Sequence, residues 1–269
     1  MSSTNGTATR NVRVEVEEVG DGRVGIAVLT IDDPAKLNAM GRSFWVEMRE
    51  ALATLEADGR TRAVIITGAG EKAFSAGGDI ASFAELTDVA AKREFQQDCM
   101  RTFAAVEETP LPVIAAVNGY AMGGGCELAL ACDVVVAADN ATFGMPESAV
   151  GLVPGFGVLR APLVIGRHWT KLMMFSGERV DAETALRIGL AQKVVPAAAL
   201  MDTAREIAAR IAGMAPLALA TGKNLVNRGV DRGEFDHSTA ALTTLHATAD
   251  AAEGIAAFVG KRAPKFEGR

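Results

Sequence analysis

Cysteine and histidine are scarce in this sequence, and neither is spaced for a metal site. The 269 residues include three cysteines and three histidines. The cysteines, Cys99, Cys126 and Cys132, form no CxxC pair, and the histidines have no HExxH-type spacing. An odd number of isolated thiols is typical of a reducing compartment, where cysteine serves as a small core hydrophobe. The sequence therefore predicts a cytoplasmic protein without a metal site.

Long apolar runs and clusters of positive charge are also missing. No apolar run approaches the ~18–20 residues that a membrane helix needs. Residues 1–11 lack the apolar centre of a secretory signal, and we expect them to form a short disordered N-terminal lead segment. The formal net charge is −6, and no cluster of lysine and arginine is present. These absences argue against a membrane span and against nucleic acid as a partner.

Strands and helices alternate along the first part of the chain. Val12–Glu17 alternates apolar and charged residues, as a half-exposed strand does, and Asp21–Gly22 predicts a hairpin turn into the strand Val24–Ile31. Ser43 is the expected N-cap of a helix that runs to about Ala57. Ala63–Thr67 is nearly all apolar, which is typical of a parallel strand covered on both faces. Strand, helix and strand form a βαβ unit.

Beyond about residue 195 the pattern is helical. With 269 residues and 49% hydrophobic content, the chain can form one large domain or a core with a small appendage. Apolar spacing and capping residues predict further helices at Val89–Glu108, Leu159–Ile165, Trp169–Ser176, Asp181–Ile188, Ala197–Met214, Leu217–Asn227, Phe235–Leu245 and Thr248–Arg262. We expect an α/β fold over residues 12–195 and an all-helical region over residues 196–269.

A glycine triplet, Gly123–Gly125, lies between the apolar strand Pro112–Val117 and the apolar helix Cys126–Cys132. A helix start supplies free N–H groups at the positive end of the helix dipole, and glycine lets a ligand approach them. Such a site can bind an anion or stabilise charge on a carbonyl oxygen. The alternative is an ordinary strand-to-helix loop. The presence of Glu127 favours a functional site over an ordinary loop, because an unpaired carboxylate in an apolar segment destabilises the fold.

A second glycine-rich loop, Gly68–Asp79, also follows a buried strand. It contains neither a P-loop nor a GxSxG sequence, so Ser75 is a poor candidate nucleophile. It can be an ordinary connection. It can also bring the Gly78 N–H to face the Gly124 N–H across a pocket, and two amides on one oxygen are what acyl chemistry requires.

Glu147 is the second acid of interest. It follows Pro146 and precedes the apolar stretch Ser148–Pro154, which contains no cation. Taken alone, Glu147 is best explained as a carboxylate that stabilises a helix start. Burial of an unpaired carboxylate at Glu147 would nevertheless be as unfavourable as at Glu127.

Several segments, in order along nearly the whole chain, resemble the crotonase (enoyl-CoA hydratase/isomerase) superfamily. They are Lys36–Met40, Ala73–Ile80, Pro112–Asp133, Thr142–Glu147, Leu152–Gly155 and Ala257–Arg262. The resemblance implies a crotonase-like spiral of ββα units with a C-terminal helical trimerisation region. It also implies a homotrimer, often stacked as a hexamer, that acts on an acyl-CoA thioester with no metal and no covalently bound cofactor.

The resemblance also assigns site residues. Gly78 and Gly124 would supply the oxyanion-hole amides, Glu127 would activate water, and Glu147 would protonate the α-carbon. Ala76 would contact adenine through its carbonyl, and Phe258 and Lys261 would reach the CoA of a neighbouring subunit. The full set of implied substrate-binding and CoA-binding residues is Lys36, Leu37, Ala76, Gly77, Asp79, Ile80, Gly123, Pro146, Phe156, Phe258 and Lys261.

The sequence departs from the pattern of hydratases after Pro154–Gly155. Phe156 and Val158 stand where smaller residues are usual, so we expect both near the acyl pocket. Ala81 replaces a common lysine, and the basic residue after Pro34 is displaced to Lys36. Contacts with the CoA phosphates are therefore expected to differ.

Three functions fit these observations. The first is an enoyl-CoA hydratase acting on trans-2-enoyl-CoA. The second is another crotonase enzyme, such as a Δ3-Δ2 isomerase or a hydratase-like enzyme of a degradation pathway. The third is a non-catalytic acyl-CoA or protein-binding scaffold. An isomerase needs one base, so the presence of both Glu127 and Glu147 favours hydration.

Overall fold

The computed structural model describes residues 11–19, 24–227 and 232–264. Its strands are β1 (Val12–Val19), β2 (Val24–Ile31), β3 (Thr61–Gly68), β4 (Ala73–Ser75), β5 (Val113–Val117), β6 (Tyr120–Met122), β7 (Val134–Ala138), β8 (Thr142–Gly144), β9 (Val180–Asp181) and β10 (Lys193–Val195). Its α-helices are α1 (Arg42–Ala57), α2 (Ile80–Ala84), α3 (Val89–Glu108), α4 (Gly124–Ala131), α5 (Gly157–Val164), α6 (Gly166–Ser176), α7 (Ala182–Arg187), α8 (Leu200–Ala212), α9 (Pro216–Asn227), α10 (Arg232–His246) and α11 (Ala249–Val259). Short 3-10 helices cover Pro34–Lys36, Glu147–Val150 and Ala197–Ala199.

The main sheet has six strands in the order β1-β2-β3-β5-β7-β10, and only β1 is antiparallel to its neighbour. Alternate residues of β3 enter two different cores. Val64 and Ile66 face the larger core with α1, α3 and α4, whereas Ala63 and Ile65 face the smaller core under α8. The prediction of a strand covered on both faces is confirmed, because an apolar run suits a sheet with helices on both sides.

A second sheet of very short strands, in the order β4-β6-β8-β9, was not predicted. Each of its first three strands follows a strand of the main sheet: β4 follows β3, β6 follows β5, and β8 follows β7. Helices come next, so the chain repeats ββα units, and the predicted α/β fold of ββα units is confirmed. Three-residue strands carry too little periodicity to be recognised from sequence. They nevertheless bring the loops that follow them to one edge of the molecule.

Several predicted helix ends were wrong, among them the start of α1 and the end of the last helix. Ser43 does not cap α1: the N-cap is Gly41 without a side-chain bond, and the Ser43 hydroxyl accepts a hydrogen bond from the Asn11 side chain instead. The last helix ends at Val259 rather than Arg262. Asn11, the last residue of the expected disordered lead, is also held by Glu47, whose Oε2 accepts its backbone N–H at 2.7 Å. Residues 1–10 and the predicted Asp21–Gly22 turn lie outside the described residues.

The C-terminal helices differ in how they pack. Helix α8 lies across the main sheet, and α10 and α11 lie against α3, α2 and the Glu147–Val150 helix. Helix α9 is attached by Lys223, whose Nζ donates to the carbonyls of Val106 and Leu111 and to Asp133 Oδ2. Among the described helices, none is both long and apolar enough to cross a bilayer.

Candidate active site

The loop after β4 is fixed by the segment Lys36–Met40. Asn38 is fully buried with φ 58°, a left-handed conformation that asparagine tolerates better than most residues. Its Nδ2 donates to the carbonyls of Ala69 and Ala73 at 2.9 and 2.7 Å. Met40 then pairs with the loop, donating to the Gly77 carbonyl at 2.8 Å. Our reading of the sequence missed Asn38, although an asparagine between apolar residues was a usable signal.

Ser75 has a structural role in this loop. Its fully buried hydroxyl donates to the Asn38 carbonyl at 2.8 Å and accepts the Gly77 N–H at 3.1 Å. The side chain does not line the main cavity described below. The serine therefore holds the backbone of the loop and is not presented to a substrate.

The amides of Gly78 and Gly124 lie beside the same cavity. A Cβ placed on Gly124 would lie 3.6 Å from the Gly78 nitrogen, so the two loops are in close contact. Neither amide donates a hydrogen bond to any residue that the structure describes. Gly124 is the first residue of α4, where the helix itself supplies no acceptor. Two free donors side by side can bind one oxygen atom and stabilise negative charge on it.

Two neighbouring positions require glycine. Gly77 has φ +96° and Gly123 has φ +52°, and both values are in the region that side chains disfavour. A Cβ on Gly77 would lie 2.7 Å from the Met122 carbonyl oxygen, and one on Gly123 would lie 2.9 Å from Glu147 Oε1. The missing side chains therefore allow the two loops, and the Glu147 carboxylate, to approach one another.

Glu127 points from α4 toward the turn before α5. The residue is 6% exposed, and its Oε1 accepts the N–H groups of Phe156 and Gly157, each at 2.8 Å. Burial raises the pKa of Glu127 to about 7, against the lowering effect of these two hydrogen bonds. The carboxyl group can therefore exchange a proton near neutral pH.

Glu147 begins the 3-10 helix after β8, as the alternative of a helix-start carboxylate anticipated. Its Oε2 is sealed from solvent and has no hydrogen-bond partner among the described residues. Burial, followed by the nearby charge of Glu127, raises the pKa of Glu147 well above its usual range. Neither glutamate forms an ion pair in the described part of the chain. Glu147 is thus the acid of the pair that keeps its proton more readily.

The turn that binds Glu127 is held by a buried ion pair that our sequence analysis did not foresee. Arg160 Nε and Nη2 donate to the two oxygens of Glu107 at 2.7 and 2.6 Å. The guanidinium lies over the rings of Phe156 and Phe235, 5.3 and 4.7 Å from their centroids. The contacts fix Phe156, and through it the amides that Glu127 accepts.

The amides of Gly78 and Gly124 and the two glutamates border a cavity of about 630 Å³, a size typical of small-molecule sites. The predicted residues that line it are Leu37, Ala76, Gly77, Gly78, Ile80, Gly123, Gly124, Glu127, Pro146, Glu147, Phe156 and Phe258. Wall residues that our sequence analysis missed include Trp45, Phe83, Phe95, Gln96, Met100 and Phe103. They come from α1, α2 and α3, and only the fold brings these helices to the glycine loops.

Four predicted contacts lie elsewhere. The prediction for Val158 was wrong, because its side chain borders a separate surface cavity with Pro162 and Lys171. Lys36, Asp79 and Lys261 do not line the main cavity. Lys36 Nζ instead bonds Asp79 Oδ2 at 2.9 Å. Among the described residues there is no group of three or more His, Cys, Asp or Glu side chains that could hold a metal ion.

Known proteins of one family match this chain. The sequence profile of the enoyl-CoA hydratase/isomerase family matches residues 21–269. A short-chain-enoyl-CoA hydratase of Clostridium acetobutylicum is 41% identical over 248 residues, covering 90% of this chain and 94% of that protein. A crotonyl-CoA hydratase of Syntrophomonas wolfei is 38% identical over 264 residues, covering 96% and 98%. The crystal structure of a carnitinyl-CoA hydratase from Mycobacterium avium superposes with a TM-score of 0.83 at 34% identity, covering 97% and 100%.

Proposed function

The chain belongs to the enoyl-CoA hydratase/isomerase family and is an enoyl-CoA hydratase, and we propose that Glu127 and Glu147 carry out its reaction. Water adds reversibly across the 2,3 double bond of a 2-enoyl-CoA. The observation that carries the proposal is a pair of buried carboxyl groups that form no ion pair with any described residue, beside two backbone amides with no described hydrogen-bond acceptor on the same cavity. A scaffold protein has no need of so costly an arrangement.

The reaction follows from the positions of these groups. The thioester oxygen accepts the N–H groups of Gly78 and Gly124. Glu127 takes a proton from water as the water oxygen bonds to the β-carbon, and the electron pair of the double bond moves onto the thioester oxygen. The enolate then collapses and its α-carbon takes the proton of Glu147. In dehydration the two glutamates exchange roles.

The unequal hydrogen bonding of the two carboxyl groups supports these roles. Glu127 Oε1 accepts two N–H groups that stabilise its ionised form, whereas Glu147 Oε2 has no partner among the described residues. A base must be ionised before the step, and Glu127, with a pKa of about 7, is substantially ionised near neutral pH. A general acid must hold a proton, and burial and the Glu127 charge raise the pKa of Glu147 well above its usual range. One charge on the pair makes a second unfavourable, which separates the acid from the base.

For CoA we propose the contacts that the family resemblance implies. Leu37, Ala76, Gly77 and Ile80 border one side of the cavity, with the Ala76 carbonyl toward adenine. Lys36 and Asp79 do not line the cavity, and we propose that the exposed Lys36 cation, beside Asp79, contacts a CoA phosphate. Gly123, Pro146 and Phe156 border the acyl portion. CoA belongs to the substrate and is not a resident cofactor.

We also propose a homotrimer, stacked as a hexamer, located in the cytoplasm. Leu217 and Val226 on α9 are 82% and 83% exposed, a cost that contact with a second copy would remove. Phe258 is 60% exposed although it borders the cavity, and we propose that Phe258 and Lys261 contact the CoA of a neighbouring subunit. Light scattering on the purified chain tests the assembly.

The activity is tested by following water addition to crotonyl-CoA and to longer trans-2-enoyl-CoA thioesters. We expect hydration of at least one of them, with the 3-hydroxyacyl product identified by mass. Double-bond shift on a 3-enoyl-CoA, with no hydration at any chain length, would make the chain an isomerase instead. Binding of acyl-CoA with neither reaction would leave only the scaffold function.

A further inference from the structure

Helix α3 forms a long wall of the cavity. Five of its residues border the space: Phe95, Gln96, Cys99, Met100 and Phe103. Aromatic rings from other elements complete this part of the wall: Phe83 lies against Phe95, with ring centroids 4.9 Å apart, and Phe103 lies against Phe156 at 5.2 Å. The wall is therefore apolar with one amide in it.

Gln96 is that amide, and it has no partner among the described residues. The residue is 5% exposed, yet its side chain makes no hydrogen bond with any described residue. The polar atoms of Gln96 remain accessible to solvent. Trp45 Nε1 and the His246 ring nitrogens, in contrast, are sealed inside the protein without a partner among the described residues. Because Gln96 borders the cavity, its amide is open toward that space. A buried amide left unpaired is destabilising, so a partner is expected from what fills the cavity.

The position of Gln96 relative to the reacting carbons follows from the helix. Cys99, one turn later on α3, lies close enough to Glu127 for the carboxylate charge to raise the pKa of its thiol, after burial as the larger cause. Phe103, a further turn along, reaches Phe156 beside Glu127. One turn is ~5 Å. Gln96 therefore faces the cavity on the side of Cys99 that is away from Phe103 and Phe156, about one helical turn from Cys99.

We propose that Gln96 is a specificity residue, and that the natural substrate is an enoyl-CoA whose acyl tail carries an oxygen function, such as a hydroxyl, ether or carbonyl group, rather than a plain alkyl chain. The inference rests on the proposed function, because it takes the cavity as the acyl site. The amide can donate to such an oxygen and can also accept from a hydroxyl. The aromatic walls enclose the hydrocarbon between this oxygen and the double bond.

The test compares pairs of trans-2-enoyl-CoA thioesters of increasing length, each pair differing only in a terminal hydroxyl or a terminal methyl group. At the length that reaches Gln96, we expect kcat/KM of the wild type to favour the hydroxyl compound by ~10-fold or more, since one hydrogen bond to a buried amide is at stake. Gln96→Met keeps an unbranched side chain of similar length and removes the amide. This variant should invert the preference, because its kcat/KM should be lower for the hydroxyl compound and higher for the methyl compound.

The matched control is Gln97→Met, the adjacent glutamine on the same helix, which is half-buried and does not border the cavity. It should keep the wild-type preference. Gln96→Leu, with thermal unfolding of each variant, separates a lost hydrogen bond from a damaged fold. A wild type that prefers the methyl member at every length, or shows the same ratio as Gln96→Met, would overturn the inference and mean that solvent water satisfies Gln96. If no thioester is hydrated at all, the proposed function fails instead.

Discussion

Carboxyl side chains that are at least partly shielded from solvent occur in two regions of this protein, and the two regions differ in the partners of these carboxyl groups. Beneath α5 and α9, each has a cation: Glu107 accepts two bonds from Arg160, and Asp133 accepts Lys223 Nζ at 2.8 Å. At the cavity, Glu127 has only two backbone N–H groups, and Glu147 Oε2 has no partner among the described residues.

The difference shows what each region is for. A carboxylate paired with a cation connects elements, here α3 to α5 and the residue before β7 to α9. Burial without an ion pair raises the pKa of Glu127 and of Glu147, which is costly for folding and useful for moving protons. We therefore expect substitutions at the cavity to act first on turnover and substitutions at the ion pairs to act first on stability.

The largest expected effect is on turnover at the cavity. Glu127→Gln and Glu147→Gln should each lower kcat by about 10²–10⁴-fold, the usual contribution of general acid–base catalysis. Binding of the acyl-CoA product, measured by calorimetry, should persist, because the amide keeps the shape of the site. Glu183→Gln, an exposed position in the first turn of α7, is the control. Unchanged turnover in both cavity variants would contradict acid–base catalysis by Glu127 and Glu147.

The paired region should respond in stability first. Glu107→Gln leaves the buried Arg160 cation without its carboxylate, and we expect a loss of about 3–5 kcal/mol in the free energy of unfolding. Because Arg160 fixes Phe156 and the amides that bind Glu127, kcat should also fall.

Glu15→Gln is the matched control for that variant. It removes the exposed Arg13–Glu15 pair, whose side chains are 53% and 54% exposed, and should cost less than about 1 kcal/mol. Equal losses from denaturant titrations of the two variants would contradict the distinction between buried and exposed pairs.

The pH dependence of stability should differ between wild type and Glu127→Gln. Burial raises the pKa of Glu127 from 4.5 to about 7, so the folded protein holds a proton that the unfolded chain releases. Stability from this group is complete below pH 4.5 and is lost as the pH rises toward 7, by on the order of 3 kcal/mol. Denaturant titrations at several pH values should show the wild type losing stability relative to the variant. Parallel profiles would mean that Glu127 ionises normally.

A smaller effect is expected where the two glycine loops meet. Gly77→Ala requires a side chain at φ +96°, 2.7 Å from the Met122 carbonyl oxygen, and should cost more than about 1 kcal/mol in stability. It should also lower kcat, because Gly78 is the next residue. Gly222→Ala on α9, where nothing lies within 4 Å of the new Cβ, should leave kcat unchanged and thermal stability equal or slightly higher. Similar results for the two variants would argue against a tight contact.

Much of the secondary structure could be predicted because it rests on local patterns. Val89–Glu108 and Val24–Ile31 are observed with the predicted limits, since apolar periodicity defines both elements and the Pro110 break follows the helix. The prediction that Ser43 caps α1 was wrong because the helix begins at Arg42. Ser43 therefore lies inside the first turn, where its hydroxyl accepts a hydrogen bond from Asn11. The prediction for Val158 was wrong because the turn at Phe156 directs the side chains of Phe156 and Val158 to different cavities.

The sequence by itself determined the residues with unusual chemistry: carboxyl groups in apolar segments and glycines at strand ends. An unpaired buried carboxyl group destabilises any fold, and glycine permits close backbone approach in any fold. Only the tertiary structure decided their surroundings. It left the amides of Gly78 and Gly124 free beside one cavity, set the turn at Phe156 against Glu127, and turned Gln96 toward the space beyond. These positions depend on contacts between residues far apart in the chain, which local patterns do not encode.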